Sequence, residues 1–260
     1  MGGFSNGLRV QVKVFEALAR RELMTRFGRE NIGFLWIMAE PLLFAGLVGI
    51  IWSVIFTHKT GGISVFAFVM TGYIPLTFMR NSFSRSANVF VANSALLYHR
   101  QIKVQDFVFV RVAIETAGAM MAFLFAGIVL GLLGYFPFPA DIGSLVAGWG
   151  IYVFFVAGLC MLIAPLSEVS EAVEKLIPLT TYIAIPFSGA FNLMAWLSPE
   201  LRELLMWSPM VSGMELMRYG VFGSEVTPYY DVIKALSVSL ACWLVGLIFT
   251  RRVRRTMPVS

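Results

Sequence analysis

Charge is scarce in this sequence. Only 13% of its residues are Asp, Glu, Lys or Arg, about half the share of a soluble globular domain. A water-soluble fold of this length has to cover itself with ionised side chains, so that class is excluded. Cysteine and histidine are scarcer still, at two of each. Two histidines cannot furnish an HExxH helix or a His-rich metal site. Cys160 and Cys242 both stand in apolar runs, where a thiol is expected to act as a small hydrophobe and not as a redox pair. No aspartate pair falls within an apolar run. A GxxxxGK[ST] loop is missing as well, so the chain cannot cradle a nucleotide by that route.

What is present is hydrocarbon. The chain is 58% hydrophobic with a mean hydropathy of +0.78. Six apolar runs approach the roughly 20 residues that cross a bilayer core. They are expected near 33–57, 63–84, 107–134, 143–166, 176–197 and 231–250. The fold class is therefore an all-α polytopic membrane protein, one transmembrane domain over 1–260, with no stretch left for a second globular domain. Lys and Arg in short flanks set the orientation. Arg9, Lys13, Arg20, Arg21, Arg26 and Arg29 precede the first span; Arg85, Arg100 and Lys103 follow the second; Arg251 to Arg255 ("RRVRR") follow the last. On the opposite side, the first and third loops hold only His58 with Lys59, and Asp141. Both termini are expected in the cytoplasm. The net charge of +5 is spent on that asymmetry and is no sign of nucleic-acid binding.

Two segments lie outside the spans. Residues 1–31 mix six basic residues with Glu16, Glu22 and Glu30 and lack a short apolar core, so a cleavable signal is not expected. Leu8, Val12, Phe15, Ala19, Leu23 and Phe27 recur at steps of three or four, which predicts an amphipathic helix lying in the interface. It serves either as an anchor or as an entrance for an anionic substrate. Residues 198–230 read as two short apolar helices broken at Ser208-Pro209, because Pro209 removes a donor and restricts Ser208. Helices of that length fit a re-entrant segment near 198–223 better than a spanning pair.

The run from Gly33 to Phe56 contains Glu40 and Pro41. Glu40 is expected about 10 Å deep at 1.5 Å per residue. Arg80, Arg111 and Glu115 fall in the same cytoplasmic third of the bilayer. Such charges normally pair or face a wet cavity, so Glu40 is expected to pair with Arg80 or Arg111 and hold the inner mouth together, or to touch substrate. Pro41, Pro178 and Pro186 predict kinks. Phe34, Trp36, Tyr73, Tyr182, Phe187 and Phe191 either pack against lipid or line a conduit on which sugar rings stack. Glu168, Glu171 and Glu174 form an acidic loop with no role to assign.

Three stretches carry a resemblance. They are "RELMTRFGRENIGFLWIMAEPLL" (Arg21–Leu43), "RNSFSRSANVFVANSALLYHRQIKVQDFVFVRVAIE" (Arg80–Glu115) and "WSPMVSGMELMRYGVFG" (Trp207–Gly223). In that order they resemble the polysaccharide-exporting ABC-2 permeases, most of all the capsular polysaccharide (KpsM-type) transmembrane subunits. The resemblance implies six spans per subunit, a homodimer, and two ATP-binding cassette subunits that carry ATP and Mg; the chain itself needs no cofactor. It implies a coupling helix over 93–103, with Asn93, Leu96, Leu97, Tyr98, His99, Arg100, Ile102 and Lys103 facing the ATPase subunit. It further implies a substrate entrance at Arg20, Arg21, Arg26 and Arg29, and an outer gate at Trp207, Pro209, Glu215 and Arg218.

The function so implied is export of an anionic, lipid-linked capsular polysaccharide across the bacterial inner membrane, with no covalent chemistry in this chain. Membrane lipids and periplasmic and outer-membrane export proteins complete the expected partners. An ABC-2 permease for O-antigen, teichoic acid or drugs shares the architecture. A secondary transporter fits less well, since it needs an internal repeat and midplane coupling-ion residues.

Overall fold

A computed structural model of the chain describes residues 2–27, 35–55, 63–87, 89–96 and 102–256, with side chains described for 6–25, 39–54, 63–87, 89–96, 102–170 and 172–253. Over these residues it is helical: α1 (Gly2–Phe27), α2 (Leu35–Ile55), α3 (Val65–Ser86), α4 (Val104–Leu132), α5 (Ile142–Val169), α6 (Glu171–Ile183), α7 (Pro199–Leu205), α8 (Pro209–Phe222) and α9 (Val232–Thr256). A short 3₁₀ helix, Val91–Leu96, lies between α3 and α4.

Four helix starts have a local cause. The Asp106 carboxylate accepts the backbone N–H of Lys103 at 2.9 Å, which closes the first turn of α4. Asp141 caps α5, its carboxylate accepting Gly143 N–H at 2.9 Å. Pro199 and Pro209 stand at the first positions of α7 and α8, where a missing N–H costs nothing.

Among the described residues, three helices are long and apolar enough to cross a membrane: Val104–Leu132, Ile142–Val169 and Val232–Val253; Ala39–Val54 is a shorter apolar helix. α3 owes its polarity to Arg80 and Arg85. It is nonetheless buried along most of its length, because α2, α4, α5 and α6 pack around it. Its Phe78 sits between Trp149 and Tyr152 of α5, with ring centroids 6.4 and 6.3 Å away.

α5 is the central element and packs most extensively against α8 and α9. The α5–α8 contact is backbone against backbone. A Cβ on Gly148 would stand 2.5 Å from the amide nitrogen of Met217, and one on Gly220 would stand 2.3 Å from that of Leu145. Small residues allow such approach where lipid supplies no hydrophobic drive. Against α9, Trp243 Nε1 donates to the Phe154 carbonyl at 2.9 Å.

Where sequence periodicity predicts one helix over 176–197, the chain is helical only to Ile183. Pro186 has no N–H to return to the Tyr182 carbonyl, so the chain tightens into a 3₁₀ turn at Pro186–Ser188. Gly189 then reverses it at φ 73°, a conformation that costs glycine little. The path continues through a second 3₁₀ turn at Met194–Trp196 into α7.

The packing face of α1 also differs from the expected stripe. Leu18 is its buried residue, with Val14, Ala19 and Leu23 beside it. Leu8, Val12 and Phe15 remain exposed. α1 thus has two adjacent apolar stripes, one turned to protein and one left free for lipid.

Candidate functional site

Two polar clusters stand at opposite ends of α3. At the α1 end, Arg21 Nη1 donates to Asn93 Oδ1 at 2.8 Å. Glu22 Oε1 lies 3.2 Å from Arg111 Nε. Arg111 Nη1 donates to the Arg85 carbonyl, and Arg85 Nε lies 2.8 Å from Glu115 Oε1. Glu115 is buried at 3% exposure, where a carboxylate is sustained only by such a partner. Arg20 points outward, its Nη2 2.7 Å from Glu16 Oε1 on an exposed surface. That pair adds about 0–1 kcal/mol and is readily exchanged for another anion.

At the other end, Arg218 of α8 is wholly buried. Its guanidinium donates to three carbonyls of the chain that follows α6: Gly189 at 2.8 Å, Asn192 at 2.9 Å and Ala190 at 2.5 Å. Its other face lies 4.2 Å from the Phe68 ring centroid of α3, a cation–π arrangement. Glu215, one turn earlier, accepts the Met194 N–H at 3.2 Å and the Tyr229 N–H at 3.4 Å. One helix thus ties the broken stretch 189–194 to the loop before α9. It satisfies backbone groups that burial would leave orphaned.

Between the clusters runs an aromatic and cationic face. Phe44 of α2 stacks on Tyr73 of α3 at 6.2 Å, and Arg80, two turns along α3, lies 5.1 Å from the Tyr182 ring centroid of α6. Tyr182 and Phe187 are exposed, and so is Glu40. Phe191 instead turns inward against Trp52 at 6.0 Å.

The residues expected to act together therefore divide. Arg111 and Glu115 belong to the α1-end cluster; Tyr73, Arg80 and Tyr182 belong to the face, and Phe187 and Glu40 are exposed. Arg111 takes Glu22 as a partner, Arg80 lies over Tyr182, and among the described residues Glu40 has no ion pair. Leu96, Ile102 and Lys103 flank the stretch 97–101. Arg29, Phe34, Leu97, Tyr98, His99 and Arg100, and the side chains of Arg26 and Trp36, lie outside the described residues. Pro209 is buried at the head of α8, and exposed Trp207 stacks under Lys234, 4.6 Å from its ring centroid. By sequence alone Glu22 and Arg85 register only as flanking charges, and nothing singles out Phe68. The signal for Glu22 was its place beside Arg21 on the packing face of α1; the others had none without the fold. Among the described residues no three His, Cys, Asp or Glu side chains are placed to hold a metal.

An all-helical bundle with several membrane-length apolar helices, buried ion pairs and a backbone-clasping arginine defines an integral, polytopic membrane protein. The chain belongs to the ABC-2 type transporter family, whose model matches residues 13–222. It is 34% identical to the capsule polysaccharide export inner-membrane protein BexB of Haemophilus influenzae, over 95% of this chain and 94% of that one. It is 35% identical to the capsule polysaccharide export inner-membrane protein CtrC of Neisseria meningitidis serogroup B, over 94% and 92%. With the polysialic acid transport protein KpsM of Escherichia coli it shares 24% over 98% and 99%.

Proposed function

We propose that this chain is the transmembrane permease subunit of an ATP-driven exporter that moves capsular polysaccharide across the bacterial inner membrane. The observation that carries the reading is near full-length similarity, at 34% and 35% identity, to two proteins named for capsule polysaccharide export. In this reading the chain crosses the membrane six times with both termini in the cytoplasm, and two copies enclose the route. ATP and Mg bind on two separate cassette subunits, which dock on the segment 93–103.

Arg20, Arg26 and Arg29 gather the anionic, lipid-linked end of the glycan at the inner leaflet through charge-assisted bonds, while Arg21, expected beside them, is engaged by Asn93. The exposed Glu16–Arg20 pair opens at little cost. The sugar chain then passes the face of Tyr73, Arg80, Tyr182 and Phe187, whose rings and cation suit an acidic glycan. α7 and α8 dip into the outer leaflet as the re-entrant segment 198–223 and cap the outer mouth, with Arg218 and Glu215 as its fastening. Periplasmic and outer-membrane export proteins receive the chain beyond it.

Deletion of the gene and staining for surface glycan tests this. Loss of surface capsule with glycan retained inside the cell, and an ATP-binding cassette protein co-purifying with the tagged chain, is the expected result. Unchanged surface capsule, or a purified chain that hydrolyses ATP alone, overturns the reading.

A further inference from the structure

Arg21 and Glu22 are neighbours in α1, yet they flank Leu18 and leave the helix in diverging directions. Arg21 reaches Asn93 of the Val91–Leu96 helix at 2.8 Å. Asn93 is itself buried, and its Nδ2 donates to the Val89 carbonyl at 2.7 Å. Glu22 reaches Arg111 of α4, and Arg111 closes onto the carbonyl of Arg85 near the end of α3. Arg85 then pairs with Glu115, one turn further along α4 than Arg111. The contacts form an unbroken line from the 3₁₀ helix, through α1, into α3 and α4.

The mechanics of this line are specific. Leu18 is the one buried apolar side chain described in α1, with Val14, Ala19 and Leu23 beside it, a narrow apolar seam that by itself resists sliding and rolling little. Two polar links that diverge from adjacent residues stop both motions. Arg111 and Glu22 are largely shielded, at 16% and 23% side-chain exposure, so their attraction is screened less than that of a surface pair. The neighbouring Glu16–Arg20 pair, at 57% and 73%, has no such shelter.

We propose that Arg21, Glu22, Asn93 and Arg111 are positioning residues that make α1, the Val91–Leu96 helix and the adjoining ends of α3 and α4 move as one body, with Glu22–Arg111 carrying displacement of the 3₁₀ helix into the membrane helices. The proposal rests on the reading that an ATPase subunit pushes at this segment.

Charge reversal in the complex tests it. Glu22→Arg should cut export of surface glycan about tenfold while the co-purified cassette subunit and its ATP hydrolysis stay unchanged. Glu22→Arg combined with Arg111→Glu should recover part of the export, since the exchange restores the ion pair but not the Arg111 bond to the Arg85 carbonyl. A second arm serves if Glu22→Arg does not accumulate in the membrane. The pair Arg21→Cys with Asn93→Cys should lose export and regain it when a short bis-maleimide joins the two thiols. Export indifferent to Glu22→Arg, no recovery on charge exchange, or cross-linking that deepens the loss overturns the proposal alone. A wild-type chain that retains no cassette subunit overturns the proposed function, and this inference with it.

Discussion

Gly72 and Arg218 meet where no side chain fits between them: a Cβ on Gly72 would stand 2.8 Å from Arg218 Nη2 and 2.1 Å from the Ala190 carbonyl oxygen that this nitrogen binds. The second distance is to backbone, which cannot swing aside. Gly72→Val should therefore push the 189–192 stretch off α3 and open the guanidinium's hydrogen bonds. Overpacking of this kind costs about 1–3 kcal/mol. Thermal unfolding in detergent reads it, and a midpoint equal to wild type would show that the stretch is not held against α3.

Arg218 is more than a packing residue. Arg218→Met leaves three carbonyls without their donor and Glu215 without its nearest cation. A buried acceptor left without its donor costs about 1–3 kcal/mol. Adding Glu215→Gln should return part of that loss, since the remaining buried charge is then gone. Folded yield and unfolding midpoint of the single and double variants measure both steps.

Tyr182 makes the opposite case. It is 58% exposed and its contact with Arg80 is worth about 0.5–1 kcal/mol. Tyr182→Ala should leave the unfolding midpoint nearly unchanged while export of surface glycan falls. A loss of stability with export intact would assign the ring to packing.

Asp141 offers a test by pH. The Ser144 hydroxyl, with the backbone N–H groups of Gly143 and Ser144, holds its carboxyl below the ordinary value of 3.8. A carboxylate whose folded pKa is depressed contributes stability above its unfolded pKa and loses it as pH falls through the folded one. Asp141→Asn should therefore unfold earlier than wild type at pH 7, and the difference should close in the acid range below pH 4. Unfolding curves of the two proteins at both pH values decide it.

Much of this was legible without coordinates. Hydropathy located α2, α3, α4, α5 and α9 because a run of apolar residues has one physical solution in lipid, a helix that satisfies its own backbone. Ser208-Pro209 announced the break between α7 and α8 in the same way. The end of α6 was harder. Pro178 stays within that helix while Pro186 ends it, and periodicity alone treats the two alike. α1 shows a related limit: spacing marks Leu8, Val12 and Phe15, which stay exposed, but does not reveal that Leu18 beside them is the residue protein buries.

The amino-acid order by itself determined that this protein lives in a membrane, which segments are helical and where its charges cluster along the chain, since each of these follows from local composition and the demands of hydrocarbon. Which charge meets which was decided only by the tertiary structure. Glu22 finds Arg111 far along the chain, and Arg218 finds Gly189, Ala190 and Asn192, because helix packing brings distant residues within reach. A buried ion takes the partner the fold delivers, and no one-dimensional pattern records that distance.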